Sequence, residues 1–181
     1  MKKKPLLIAF CAPKQTGKTT TARAISAGRA AKILSFASPL KDFAAMIFSE
    51  EYMNEKKELP DPRTGMSYRD FAVHTGDVWR GLNRNVFIDI LNASREDLNV
   101  RYCGLDAVVI DDLRYANEAQ YVKDQGGIII QLNRGGVQYK MDHATERPID
   151  PNFVDYFCSV NDAEALVEQL IEEYRVAEVE K

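Results

Sequence analysis

Short apolar runs recur along the chain and alternate with longer segments in which the apolar positions follow a helical period. Within each run the apolar residues are nearly continuous, which is typical of strands buried on both faces of a parallel sheet. The predicted strands cover residues 6–11, 32–36, 107–110, 128–132 and 157–160. The pattern therefore predicts an α/β fold built on a parallel sheet.

The segments between these runs contain helical patterns. Leu40, Phe43, Ala44, Ile47 and Phe48 are spaced three and four residues apart, which predicts an amphipathic helix. Further helices are predicted over residues 19–27, around residues 86–91, over residues 117–125 and over residues 163–174. Strands and helices thus alternate, as a doubly wound sheet requires.

Two long polar segments interrupt this alternation. Residues 49–67 contain two prolines and a glycine, and residues 133–148 contain two glycines, a lysine and two arginines. Loops of this length in a compact domain are usually disordered or act as lids. We expect residues 133–148 to form a lid, and residues 49–67 to form an insertion on the acceptor side of the site.

Length, charge and cysteine content narrow the class of protein. The 181 residues suit one domain with a sizeable core, and the net charge of −3 argues against a general nucleic-acid binder. Three cysteines without a Cys-x-x-Cys pair are typical of reduced core residues. No apolar run approaches the roughly 20 residues of a membrane span. We therefore expect a soluble, cytoplasmic protein without membrane or nucleic-acid partners.

The first predicted strand leads into a phosphate-binding motif. Residues 12–19 read Ala-Pro-Lys-Gln-Thr-Gly-Lys-Thr and are followed by a predicted helix. In such a loop the backbone N–H groups converge on phosphate oxygens, Gly17 allows their close approach, and Lys18 reaches the β- and γ-phosphates. The hydroxyl of Thr19 would ligate Mg²⁺. The sequence therefore predicts a binding site for a nucleoside triphosphate.

One position departs from the motif. Ala12 stands where the motif G-x-x-x-x-G-K-[ST] has its first glycine, so this residue must adopt its turn without the freedom of glycine at positive φ. Gly28 is predicted to end the following helix as its C-cap. The strand before the loop and the helix after it favour a functional phosphate loop over a basic turn.

The third predicted strand ends in two carboxylates, Asp111 and Asp112, and is soon followed by Arg114. The carboxyl edge of a parallel sheet is where ligands bind, so one of the aspartates can hold Mg²⁺. Both cannot face the site if the side chains keep alternating. The guanidinium of Arg114 can bind a phosphate through two hydrogen-bond donors. The alternative role of Asp112 is to cap the turn before Arg114.

Arginines favour an anionic acceptor. An alcohol acceptor needs a carboxylate base, whereas a monophosphate is already anionic and needs cationic groups around it. The candidates are Arg69, Arg80, Arg84, Arg114, Arg134 and Arg147. Trp79 and Phe87 either stack on a base or belong to the core.

Several motifs in a fixed order connect these features. They are Lys14 inside the phosphate loop, Ser-Phe-Ala-Ser-Pro-Leu-Lys over residues 35–41, Arg69 followed by Thr75-Gly76 and Arg80, Asp-Leu-Arg-Tyr-Ala-Asn-Glu over residues 112–118, Gly126-Gly127, residues 142–146, and Val160-Asn161. In this order they resemble the deoxynucleoside monophosphate kinases of tailed bacteriophages, within the adenylate-kinase-like P-loop superfamily.

The resemblance implies a five-stranded parallel sheet in the order 2-3-1-4-5 and transfer of the ATP γ-phosphate to a deoxynucleoside monophosphate, with Mg²⁺. It also implies the cytoplasm of a host as the location and suggests a homodimer. The implied ATP-binding residues are Gln15, Thr16, Gly17, Lys18, Thr19 and Thr20. The implied acceptor residues are Lys14, Lys41, Arg69, Gly76, Phe87, Asp112, Arg114 and Glu118. Lys18, Arg80 and Arg114 are the expected catalytic residues, and Thr19 and Asp111 the expected metal ligands.

Two other functions are compatible with the phosphate loop. A different small-molecule kinase, similar to dephospho-coenzyme A kinases, would share the fold but need room for a long acceptor. A nucleotide-dependent switch would bind a partner protein instead. Directly after the carboxylate strand, Asp111 and Asp112 lead to Arg114 and Tyr115 and not to the D-x-x-G motif expected of a GTPase switch, and the sequence contains no N-K-x-D motif. Turnover of added nucleotides would separate these hypotheses.

Overall fold

The structure, a computed structural model, describes residues 4–101, 104–136 and 147–179. In chain order its strands and helices are β1 (Leu6–Cys11), α1 (Lys18–Gly28), β2 (Ala31–Leu34), α2 (Ser38–Ala45), α3 (Glu50–Asn54), α4 (Tyr68–Leu82), α5 (Val86–Arg101), β3 (Ala107–Ile110), α6 (Ala116–Asp124), β4 (Ile128–Asn133), β5 (Tyr156–Ser159) and α7 (Ala163–Val179). A short 3₁₀ turn, Pro151–Phe153, precedes β5.

The five strands form one parallel sheet in the order β2-β3-β1-β4-β5. All six residues of β1 and all four of β3 are buried, as the continuous apolar runs predict. Each predicted strand is present, with ends that differ by no more than two residues. The α/β fold and the strand order implied by the P-loop kinase resemblance are therefore confirmed.

The chain divides into two compact units, one of residues 1–35 and 94–181 and the other of residues 36–93. The first, called here the sheet unit, contains the sheet together with α1, α6 and α7. Its core includes Ile8, Phe10, Val109, Ile130 and Val167. Single-domain behaviour over residues 1–181 stays a prediction.

The second unit, called here the helical unit, contains α2, α3, α4 and the first half of α5. Aromatic rings pack together inside it: Phe48 lies 5.2 Å from Phe71, and Trp79 stacks on Phe87 at 5.8 Å between centroids. Phe43 contacts both Phe71 and Trp79. These rings give the unit its own apolar centre.

Helix α4 was not among the elements predicted from the sequence. Its start is marked by Ser67, whose hydroxyl accepts a hydrogen bond from the backbone N–H of Asp70 at 3.0 Å. This is the usual N-cap arrangement, so the sequence did carry a signal for this helix.

The loop predicted at residues 49–67 is wrong in part, because the segment includes α3 and an ordered turn. The turn is closed by a bridge between Pro60 and Ser67 and is centred on the buried Asp61. Gly28 also differs from its prediction: it lies within α1, and Arg29 is the C-cap with an extended φ of −148°. Most of the predicted lid, residues 137–146, lies outside the described residues.

None of the helices in the described ranges has the length and apolar composition that crossing a membrane requires.

Candidate active site

The phosphate loop connects the buried β1 to the start of α1, so its backbone N–H groups lie at a helix N-terminus, where anions bind well. Two residues of the loop have positive φ: Gln15 at 66° and Gly17 at 107°. Ala12 does not, so alanine at the first motif position causes no strain of this kind. The left-handed turn falls instead on Gln15, which is exposed.

The side chain of Lys18 is held against the phosphate loop by backbone carbonyl groups of the loop. Its ammonium Nζ donates hydrogen bonds to the carbonyl oxygens of Ala12 at 2.7 Å and Pro13 at 3.0 Å, and the residue is only 8% exposed. The hydroxyl of Thr16 donates to the same Pro13 carbonyl at 2.9 Å. A fixed positive charge therefore lies beside the N–H groups of the loop, which favours binding of a polyanion.

The buried thiol of Cys11 ends β1 immediately before this loop. Burial raises its pKa to about 12, and the neighbouring Lys18 ammonium offsets only part of that rise. The thiol therefore stays protonated at neutral pH and contributes packing, as the cysteine pattern predicts.

Asp111 follows β3 and is 3% exposed. Its Oδ2 accepts a hydrogen bond from the hydroxyl of Thr19 at 2.7 Å, and its Oδ1 accepts one from the hydroxyl of Ser35 at 2.5 Å. Asp112, the next residue, is half-buried. The carboxylate beside the phosphate loop is thus Asp111, in the place expected for a metal ligand.

Ser35 received no individual role from the sequence, although it belongs to the motif at residues 35–41. The signal was available: a polar residue directly after a buried parallel strand lies at the ligand-binding edge of the sheet, as Asp111 does.

Thr19 and Asp111 fit Mg²⁺ by their chemistry. Both offer the hard oxygen ligands that Mg²⁺ prefers. Because the Thr19 hydroxyl donates a hydrogen bond to Asp111, the lone pairs of its oxygen remain available for a cation. Within the described ranges no three acidic, histidine or cysteine side chains form a metal cage. Mg²⁺ is usually held by one or two carboxylates together with substrate phosphates, so its binding does not require such a cage.

Glu118 organises the turn between β3 and α6. Its Oε2 accepts hydrogen bonds from the backbone N–H groups of Arg114 at 3.0 Å and Tyr115 at 3.1 Å, and the residue is 2% exposed. These bonds satisfy donors at the start of α6 and fix the backbone that carries Arg114. Glu118, expected to line the acceptor site, is therefore a buried helix cap here. Direct contact with a substrate stays a prediction.

Two further predicted residues lie within the phosphate loop or directly after it. Lys14 is half-buried within the loop, and Thr20 is exposed in the first turn of α1. The structure thus brings Gln15 to Thr20 together with Asp111 in the sheet unit. Arg114 lies in the turn after β3 of the same unit.

Five of the site residues implied by the resemblance belong to the helical unit. Lys41 is exposed on α2, and Arg69 is half-buried at the start of α4. The guanidinium carbon of Arg80 lies 4.5 Å from the centroid of the Phe87 ring. Gly76 is buried beneath that arginine, since a Cβ on Gly76 would come within 3.0 Å of Nη1 of Arg80. Phe87 is 2% exposed and belongs to the aromatic centre of the unit.

A comparison with known proteins found a relative over most of the chain. A protein of Acanthamoeba polyphaga mimivirus, named "Putative deoxynucleotide monophosphate kinase", is 31% identical over 159 residues, which cover 78% of this chain and 80% of the viral protein. No protein-family model matches the chain.

Proposed function

Because the chain belongs to the deoxynucleotide monophosphate kinase family, we propose that it transfers the γ-phosphate of ATP to a deoxynucleoside 5′-monophosphate. An oxygen of the acceptor phosphate attacks the γ-phosphorus, the bond from that phosphorus to the β–γ bridging oxygen breaks, and ADP leaves. The observation that carries the proposal is the Lys18 ammonium fixed at the phosphate loop, beside the hydrogen bond between Thr19 and the carboxylate of Asp111.

The donor side of the site is supplied by the phosphate loop. Its N–H groups and Lys18 would hold the β- and γ-phosphates, and the charge of Lys18 would stabilise the negative charge on the transferring group. Thr19 and Asp111 would hold Mg²⁺, which neutralises charge on the β- and γ-phosphates when bound. Little covalent chemistry is required of the protein, so positioning and charge supply most of the rate.

The acceptor is already an anion and does not need a strong base, so cationic side chains suit it. On the sheet unit, Arg114 is half-buried in a turn whose backbone Glu118 fixes, and Lys14 and Asp112 complete the proposed set. Lys41, Arg69, Gly76, Arg80 and Phe87 of the helical unit stay predicted acceptor residues. Kinship with the tailed-phage enzymes, a cytoplasmic location and a homodimer also stay proposals.

An acceptor screen tests the proposed reaction. The protein is incubated with ATP and Mg²⁺ and, in separate reactions, with each deoxy- and ribonucleoside monophosphate, with dephospho-coenzyme A, or with no acceptor. We expect ADP release to depend on at least one deoxynucleoside monophosphate. ADP release that depends only on dephospho-coenzyme A would identify the other kinase class, and acceptor-independent release would favour a nucleotide switch.

A further inference from the structure

We propose that Ser35 is a positioning residue that fixes the carboxylate of Asp111 for Mg²⁺, an inference that rests on the proposed function. The Ser35 hydroxyl donates to Oδ1 of Asp111 at 2.5 Å, while the Thr19 hydroxyl donates to Oδ2 at 2.7 Å. Ser35 needs no direct bond to a phosphate for this role. It acts through the metal-side carboxylate.

The sheet register explains why these three residues meet. Leu34 of β2 pairs with Ile110 of β3, and the backbone N–H of Asp111 bonds to the carbonyl of Leu34 at 3.2 Å. Ser35 and Asp111 are the next residues on two neighbouring parallel strands, so they lie side by side at one sheet edge. On its other side β3 pairs with β1, which leads through the phosphate loop into α1, where Thr19 lies in the first turn.

Two donors from different elements restrain the carboxylate more than one donor does. With Thr19 alone, the group could rotate about its Cβ–Cγ bond and still keep one hydrogen bond. With Ser35 on the opposite oxygen, rotation breaks a hydrogen bond to a side chain that is only 3% exposed. The carboxylate plane is thereby held in one orientation before a metal binds. Hydrogen-bond partners of metal ligands commonly have this effect.

Binding of a non-hydrolysable ATP analogue, measured by titration calorimetry with and without Mg²⁺, tests the role of Ser35. Ser35→Ala should reduce the Mg²⁺-dependent gain in affinity by about 10- to 100-fold and leave affinity without Mg²⁺ nearly unchanged. Ser35→Thr, which keeps a hydroxyl donor, should recover most of the gain.

Ser26→Ala is the matched control. The Ser26 hydroxyl bonds to the carbonyl of Ala31 at 2.8 Å, at the opposite end of the same strand. Its loss removes a comparable serine hydrogen bond without touching Asp111, so the Mg²⁺-dependent gain should stay at the level of the unmodified protein.

Two results would overturn the proposal: a Ser35→Ala protein with an intact Mg²⁺-dependent gain, or one that loses affinity equally with and without Mg²⁺. If Ser35→Ala does not fold, Ser35→Thr and Ser35→Val provide the same comparison, because their side chains have one shape and differ in the hydroxyl. A lack of Mg²⁺-dependent gain in the unmodified protein would instead refute the metal site of the proposed function, before any variant is compared.

Discussion

The two consecutive aspartates after β3 have different surroundings, and this difference predicts unequal roles. Asp111 is buried and accepts two hydroxyl donors, whereas Asp112 is half-buried. Asp111→Asn should lower kcat by about 10²- to 10³-fold and raise the Mg²⁺ concentration needed for half-maximal rate, since the negative charge of the side chain that would bind the metal is lost. Asp112→Asn should raise KM for the monophosphate and leave the Mg²⁺ requirement unchanged.

Steady-state rates over a Mg²⁺ series check this pair, and each variant serves as the size-matched control for the other. Equal, small effects at both positions would reduce both carboxylates to turn-forming residues. A larger effect on the Mg²⁺ requirement in Asp112→Asn than in Asp111→Asn would show that Asp112, and not Asp111, holds the metal.

The sequence identified Asp111 and Asp112 as candidates, and the structure shows that Asp111 is bonded to Thr19 and Ser35. Alternation of side chains along a strand shows that only one of Asp111 and Asp112 faces the site, but not which, because that depends on how the backbone leaves β3. For Gly76, too, the sequence did not show which side chain lies against it. Its missing Cβ leaves space for Arg80, a contact one helical turn away that spacing alone does not reveal.

Helix α6 depends on Glu118 at its N-terminus, where one carboxylate oxygen accepts two backbone N–H groups. Glu118→Ala leaves these donors without their acceptor in a buried place, so the free energy of unfolding should fall by about 1–3 kcal/mol. Glu118→Gln keeps an acceptor oxygen and should lose clearly less.

Urea denaturation followed by far-ultraviolet circular dichroism measures both Glu118 variants. The order matters more than the size of either loss. Equal losses in Glu118→Gln and Glu118→Ala would show that the negative charge, and not the accepted hydrogen bonds, supports the turn that carries Arg114.

The turn around Asp61 predicts a pH dependence in the helical unit. The guanidinium of Arg63 donates to both oxygens of Asp61, its backbone N–H donates to one, and together these bonds lower the pKa of the Asp61 carboxyl to about 2. Because the pKa is depressed in the folded state, the stabilisation is present above an unfolded-state pKa of about 3.9 and is lost as the pH falls toward 2.

Comparison of the unmodified protein with Asp61→Asn isolates this effect. The unmodified protein should be the more stable at about pH 5, and the difference should shrink toward about pH 3. Trp79 is the only tryptophan in the sequence and lies in the helical unit, so its fluorescence follows unfolding there. Asp42→Asn, an exposed carboxylate on α2, is the control. A pH-independent difference for Asp61→Asn would contradict the linkage.

Across the whole molecule, the sheet unit was easier to predict than the helical unit. Strands buried on both faces give continuous apolar runs, and β1 and β3 were located to the residue. The helical unit relies on aromatic contacts among α2, α4 and α5. The apolar spacing predicted α2 and the start of α5, whereas α4 was missed although its N-cap, Ser67, marks its start. The ordered turn at Asp61 was also missed, since the prolines and the glycine nearby are typical of a loop.

The proposed reaction moves the γ-phosphate from ATP to a deoxynucleoside monophosphate. ATP labelled with radioactive phosphorus at the γ position, incubated with the protein, Mg²⁺ and a deoxynucleoside monophosphate accepted in the screen, tests it directly after chromatographic separation of the products. We expect the label in the deoxynucleoside diphosphate, and we expect Lys18→Ala to lower the rate of this transfer by about 10²- to 10³-fold while the protein remains folded. Label recovered as inorganic phosphate, or transfer reduced less than about fivefold in a folded Lys18→Ala protein, would contradict it.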